Sequence, residues 1–310
     1  MIRSFSSFFK RYLRAPLARA LLRMFAYLPL RWSRKIGEIL GWMMASTDNE
    51  IRRISQINIA NCLPTLSEKQ QASLVKHSLM ESGKGLTEMG AVWCWPTNKL
   101  IQLVDQVSGE HYVKQALQQG NGVILALPHL GNWEFMGAFL GYQYQVTGMA
   151  RPLRMASLNE LVVKARVRHG GRLVATDVKG VRSLYQTLSQ GGMVGILPDQ
   201  EPSMGRGFFA PFFGIEAKTA VLIPRLIEKT QATVILGYAL RNPSGQGFHI
   251  HFQGAPSMTS EGNLYATTTK LNHSIESCIS AFPEQYIWSY QRFRSRPEGE
   301  VSFYRKNVNV

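Results

Sequence analysis

His129 and Glu134 stand five residues apart in the run Leu127-Pro128-His129-Leu130-Gly131-Asn132-Trp133-Glu134. An imidazole whose tautomer is held by a carboxylate, and whose protonated form that carboxylate stabilises, is a general base. On an unbroken helix five residues span a rotation of about 500°, so the two side chains would diverge. They meet only where the chain turns between them, and Gly131-Asn132 supplies that turn chemistry. A structural histidine at a helix start is the ordinary alternative. What separates the two readings is the company His129 keeps downstream.

The surrounding elements explain why this place suits chemistry. Val123-Ile124-Leu125-Ala126 is a short, β-branched apolar run of the kind that forms a buried strand, and Phe135-Met136-Gly137-Ala138-Phe139-Leu140 predicts a helix. His129 then sits where a strand gives way to a helix, the rim at which open α/β sheets place binding groups. Strands are predicted at 123–127, 146–150, 172–175 and 193–197, alternating with helices at 110–118, 133–141, 158–169 and 181–189. Such alternation implies βαβ units and a largely parallel sheet. A helix over 220–230 leads to two antiparallel strands, 233–240 and 248–253, and a last helix covers about 263–282. From Ser67 the chain reads as helix, with Ser67 and Gln70 in capping-box spacing, until Pro96 breaks it.

Composition narrows the function. With 45% apolar residues over 310 positions, a large core is available and disorder is not expected. The formal charge of +15 predicts attraction to something anionic. Nucleic acid is not favoured, because no recognisable nucleic-acid module is present. Cys62, Cys94 and Cys278 have neither disulfide-framework nor metal-site spacing, and free thiols favour a reducing compartment. His249 and His251 alternate along one predicted strand and form no ligand cluster, so neither metal nor cofactor is expected. Leu17, Leu21, Met24, Phe25 and Leu28 recur at helical spacing among Arg14, Arg19, Arg23 and Arg31, with Tyr27, Trp32 and Trp42 nearby. The stretch is too short and too interrupted by arginine to span a bilayer. It reads as an interfacial helix with a basic rim, either on a membrane or docked on the domain.

Four blocks fall at predicted strand ends: His129 with Glu134; Arg151-Pro152, followed by Arg166 and Arg168 before Gly170-Gly171; Asp199-Gln200 followed by Pro211-Phe212-Phe213-Gly214; and Tyr286-Ile287-Trp288 running to Arg292-Phe293-Arg294-Ser295-Arg296-Pro297. In this order they resemble the late acyltransferases of lipid A biosynthesis, within the glycerolipid acyltransferase superfamily. The resemblance covers roughly residues 20 to 297. It departs at the N-terminus, where many members have a spanning helix.

The fold expected is therefore α/β, a central, mostly parallel mixed sheet flanked by helices. A membrane-interfacial helical segment at 1–45 would precede an acyltransferase domain at 46–310. The resemblance implies transfer of a fatty acyl group, of lauroyl or myristoyl type, from acyl carrier protein to a Kdo-modified lipid A precursor. The accepting hydroxyl lies on a 3-hydroxyacyl chain, and the work is done at the cytoplasmic face of the inner membrane, against anionic lipids. His129 would be the base and Glu134 its orienter. Arg166 and Asp199 match further essential positions of the family, with Arg166 suited to a phosphate and Asp199 to orienting that arginine or a sugar hydroxyl. Arg151 and Gln200 complete the expected substrate-binding set, and Arg292, Arg294 and Arg296 are candidates for a basic face. No serine or cysteine nucleophile with a matching histidine is seen, so direct transfer without an acyl-enzyme is expected. A related acyltransferase acting on another glycerolipid or glycolipid is the nearest rival. A non-catalytic basic membrane- or nucleic-acid-binding protein is the rival from another class.

Overall fold

The computed structural model describes residues 16–150, 156–202, 207–256, 258 and 263–305. Arg14 and Arg151 lie outside them. The centre is a seven-stranded sheet ordered β1 (Val104–Ser108), β9 (Phe248–Gly254), β8 (Thr233–Arg241), β2 (Val123–Ala126), β5 (Met193–Ile196), β3 (Thr147–Ala150), β4 (Arg172–Ala175). Strands β8, β2, β5, β3 and β4 run parallel; β9 pairs antiparallel with β8, and β1 runs parallel to β9. The mostly parallel mixed sheet is thus present.

Why β2 lies in the middle follows from its residues. All four are buried, as a parallel strand covered on both faces requires. Ile124 and Ala126 join one core, with Leu184, Leu226 and Ile275 from helices α9 (Val178–Ser189), α10 (Leu222–Thr230) and α11 (Leu264–Ala281). Val123 and Leu125 join the other, with Val113 of α6 (Glu110–Gln118) and Phe135 of α7 (Trp133–Tyr144). Two strand features escape the sequence pattern. β1 carries Asp105 and Gln106 at its exposed middle and shows no apolar alternation. The block around Pro211 is a separate hairpin of β6 (Gly207–Phe212) and β7 (Ile215–Ala220). Its two turn residues, Phe213 and Gly214, have φ of 51° and 74°, the double left-handed geometry that matches strand twist.

At the N-terminus, α1 covers the described residues 16–27, followed by α2 (Leu30–Ser46) and α3 (Glu50–Cys62). Both α1 and α2 lie on α4 (Glu68–Cys94), which starts with the capping box of Ser67 and Gln70 and is followed by the short α5 (Thr97–Ile101). The α2–α4 contact is backbone to backbone. A methyl group on Gly37 would come within 2.5 Å of Gly83 O, and one on Gly41 within 2.2 Å of Leu79 O. Ser33 Oγ donates to Thr87 O, and Thr87 Oγ1 donates to Ser33 O. Phe25 of α1 turns inward on Gly90, whereas Leu17, Leu21, Met24 and Tyr27 remain exposed, as do Trp32, Ile36, Ile39, Leu40, Trp42 and Met43 of α2. Among the described residues, no helix is long and apolar enough to cross a membrane.

Candidate active site

Adjacent parallel strands β2 and β5 end in register, Ala126 beside Ile196, and Leu127 N adds one more ladder bond to Ile196 O. Each strand then continues with Leu-Pro, at Leu127-Pro128 and Leu197-Pro198. Proline has no N–H to extend the ladder, so both chains leave the sheet at the same level. The next residues are His129 and Asp199, which places an imidazole and a carboxylate side by side at the carboxyl rim.

They are joined twice. His129 Nδ1 lies 2.7 Å from Asp199 Oδ1, and His129 backbone N donates to Asp199 Oδ2 at 2.8 Å. Asp199 is 1% exposed. Burial alone would raise its carboxyl, but the His129 charge and the hydrogen bonds outweigh it and hold the group below the usual carboxylate range. With Nδ1 on a carboxylate, Nδ1 carries the proton and Nε2 presents its lone pair. Gln200 Nε2 sits 3.1 Å from His129 Nε2, on the side where a reacting hydroxyl would have to approach. The Trp133 ring, 5.1 Å from the imidazole between centroids, packs beside it.

Glu134 does not orient His129. It sits in the first turn of α7, beyond the N-cap Asn132, and both its oxygens are taken. Arg166, in the last turn of α8 (Ala156–Val167), donates from Nε to Oε2 at 3.0 Å and from Nη2 to Oε1 at 2.5 Å. Trp93 Nε1 donates to Oε2 at 3.0 Å. The turn after His129 sends the two side chains to different partners, so the expected His129–Glu134 pair is replaced by His129–Asp199 and Glu134–Arg166. Asp199 likewise orients the histidine rather than the arginine. The signal that could have found it is the repeated Leu-Pro step after two neighbouring strands.

The loop between His129 and α7 is pinned from beneath. Gly131 has φ of 67°, and a methyl group there would meet Ala239 O at 2.0 Å, so only glycine fits. Asn132 N donates to Ala239 O at 2.8 Å, and its side chain accepts from Phe135 N at 2.8 Å as the cap of α7. Asn132 Nδ2 in turn donates to Glu88 Oε2 at 2.7 Å. Glu88, fully buried in α4, also accepts from Arg34 Nε at 2.6 Å and from Arg241 Nε and Nη2 at 3.0 and 2.9 Å. None of Glu88, Arg34 or Arg241 is evident from sequence, because the three lie far apart along the chain and meet only in the fold.

Two other expectations change. Arg292 is not part of an exposed basic face: it is 3% exposed and donates to Lys218 O and Thr219 Oγ1. Arg296 is likewise turned in, onto Glu216 O and Glu300, whereas Arg294 is exposed beside Glu201. Arg294 borders a cavity of about 290 Å³ with Ser289, Tyr290 and Gln291, and the Tyr290 hydroxyl accepts from Glu201 N, two residues past Asp199. His251 stacks on Tyr238 and lies tilted against His249, which bonds Ser108, and burial pushes His251 down to about 4.

The family described as bacterial lipid A biosynthesis acyltransferase matches residues 3–295. The lipid A biosynthesis lauroyltransferase of Escherichia coli (strain K12) is 26% identical over 295 residues, 95% of each chain. The palmitoleoyltransferase of the same organism is 25% identical over 277 residues, 87% of each chain. Its myristoyltransferase is 24% identical over 299 residues, 96% of this chain and 91% of that one.

Proposed function

The chain belongs to the bacterial lipid A biosynthesis acyltransferase family and is an acyltransferase, and on that footing we propose that it moves a fatty acyl group from acyl carrier protein to a hydroxyl of a Kdo-modified lipid A precursor. The observation that carries the mechanism is the His129 Nδ1–Asp199 Oδ1 contact of 2.7 Å, with Nε2 left to face a reactant. A hydroxyl is a poor nucleophile near neutral pH. His129 Nε2 takes its proton as the oxygen attacks the thioester carbonyl, and Asp199 stabilises the imidazolium that forms. Collapse of the tetrahedral intermediate breaks the C–S bond and expels the carrier's thiolate, which takes the proton from the His129 imidazolium and leaves as the thiol. No covalent acyl-enzyme is formed.

Gln200 holds the place of the acceptor hydroxyl and, once displaced from Nε2, supplies an amide donor beside the developing oxyanion. Arg166 is partly exposed and gives Nε and Nη2 to Glu134, so its remaining N–H groups are available for a phosphate of the acceptor or of the phosphopantetheine arm. Glu134 thus serves substrate binding by aiming Arg166. Arg151 is a second phosphate ligand in this reading. The exposed apolar residues of α1 and α2, with Arg23, Arg31 and Lys35 exposed among them, suit the cytoplasmic face of an anionic inner membrane. Residues 1–45 then form the interfacial segment and 46–310 the catalytic domain. The membrane surface, the phosphorylated acceptor and the carrier protein are all acidic, which the charge of +15 matches.

The test is an assay of the purified protein with a panel of acyl carrier protein thioesters, the Kdo-bearing acceptor and other glycerolipids, read by mass spectrometry. An acceptor heavier by one acyl chain, with no acylated protein on the path, is expected. Transfer only to a different lipid, or a kinetically competent acyl-protein, would overturn the corresponding part.

A further inference from the structure

The strands that deliver His129 and Asp199 each continue to a second carboxylate, and each of those carboxylates holds an arginine. Beyond β2 it is Glu134, on Arg166. Beyond β5 it is Glu201, two residues past Asp199, whose Oε2 lies 3.5 Å from Arg294 Nε. The elements behind the two pairs belong to opposite faces of the sheet: Phe135 of α7 packs in the core with Leu125, whereas Trp288 and Phe293 of the tail pack in the core with Ile124. The Glu201 side chain is 4% exposed and that of Arg294 67%, so the acid lies behind and the guanidinium in front. Ser295 engages both Glu201 oxygens as well, through its hydroxyl and its backbone N. Among the described residues the two Nη nitrogens of Arg294 have no hydrogen-bond partner. Arg294 borders the cavity of about 290 Å³ that Ser289, Tyr290 and Gln291 complete. The Tyr290 hydroxyl is fixed by accepting from Glu201 N at 2.9 Å, which leaves its own hydrogen to donate.

We propose that Arg294, with Ser289, Tyr290 and Gln291, forms a second anion subsite, which takes a carboxylate or phosphate on the head group of the acceptor. The inference rests on the acyl-transfer reading of His129 and Asp199 and deepens it: the acceptor is a lipid with separated anionic groups, one at Arg166 and one at Arg294, and the reacting hydroxyl lies between them. With Nε turned to Glu201, the planar Nη edge of Arg294 is free to pair with two oxygens of a carboxylate or phosphate at once. The Tyr290 hydroxyl, the Ser289 hydroxyl and the Gln291 amide are donors for what remains of the head group. All four lining side chains are polar, and the volume lies at the low end of the roughly 300–1,000 Å³ that ligand pockets span. That combination suits a charged group and not an acyl chain. Folding does not account for the arrangement, since an ion pair to so exposed an arginine contributes little to stability.

The test measures binding and turnover separately. Binding is read by co-flotation of the full-length protein with phosphatidylcholine vesicles that contain the Kdo-bearing, phosphorylated acceptor, against vesicles without it. Arg294→Ala should weaken acceptor-dependent binding and raise KM for the acceptor by about 10-fold, with KM for the acyl carrier protein thioester unmoved. Arg294→Lys, which keeps the charge and loses the fork, should fall between. Arg225→Ala removes an equally exposed charge from α10 and should change neither. Two truncated acceptors, one without the Kdo carboxylates and one without a phosphate, identify the group: the wild type and Arg294→Ala should bind at least one of them equally well. Wild-type acceptor affinity in folded Arg294→Ala, a rise confined to KM for the donor, or a full 10-fold difference persisting with both truncated acceptors overturns the subsite. If the wild type transfers nothing to the intact acceptor while vesicle binding still depends on Arg294, the functional reading fails and the subsite stands. If transfer occurs and Arg294 has no effect, only the subsite fails.

Discussion

Two buried carboxylates lie close to the same loop, and only one of them can do chemistry. Glu88 meets the guanidiniums of Arg34 and Arg241 and the amide of Asn132. Guanidinium does not give up its proton in proteins, so that cluster offers no proton acceptor other than the paired carboxylate itself. Asp199 meets an imidazole, which unlike a guanidinium can act as a proton acceptor, and the far nitrogen of that imidazole faces Gln200. Glu134 falls between the two: fixed to Arg166 like Glu88, but on a partly exposed arginine at the rim. What a buried acid does here is decided by whether its partner can accept a proton and whether that partner keeps a second nitrogen turned away from the acid.

Substitutions that separate these carboxylates break or sharpen that contrast. The largest effect is expected at the imidazole itself. His129→Ala should reduce acyl transfer by about three to four orders of magnitude with an unchanged circular dichroism melt; near-normal turnover would erase the distinction. At the inert cluster the loss should appear in stability. Glu88→Gln leaves two guanidiniums under-compensated in the core and should cost about 3 to 5 kcal/mol in urea unfolding, with per-molecule activity of the folded fraction retained. Arg241 and Arg34 hold Glu88 below its ordinary value of 4.5 against the effect of burial. Its contribution is therefore present above that pH and is lost as pH falls through the lower folded value. A change under about 1 kcal/mol would show that the cluster is not the anchor of Asn132. The smallest effect belongs to the intermediate pair. Arg166→Ala should raise KM for the phosphorylated acceptor by about 10- to 100-fold with a modest change in kcat; unchanged kinetics with both substrates would remove Arg166 from substrate binding.

Local signals made the sheet readable and hid the partners. β2, β5 and β8 are dense apolar runs, and their places followed from residue type alone, as did the Ser67 cap and the stop at Pro96. The edge strand β1, with polar Asp105 and Gln106, had no such pattern. At the site, His129 is legible because it stands between a buried apolar run and a helix and is followed by the downstream blocks at other strand ends. Its partner is not legible from nearness in sequence: the neighbouring acid, Glu134, bonds Arg166, and the imidazole bonds Asp199. Across a parallel pair, residues some seventy positions apart at equal depth are nearer neighbours than residues five apart around a turn. The tail arginines carried the same lesson in reverse: Arg292 reads as a surface charge and is buried.

The most direct test of the central claim is the steady-state rate of acyl transfer by Asp199→Asn, measured beside its urea unfolding curve. If Asp199 holds His129 in its reactive tautomer, kcat falls by about 10² to 10⁴ while the protein stays folded, since an amide in that place favours the wrong tautomer. A folded Asp199→Asn protein that turns over at close to the wild-type rate would contradict the account.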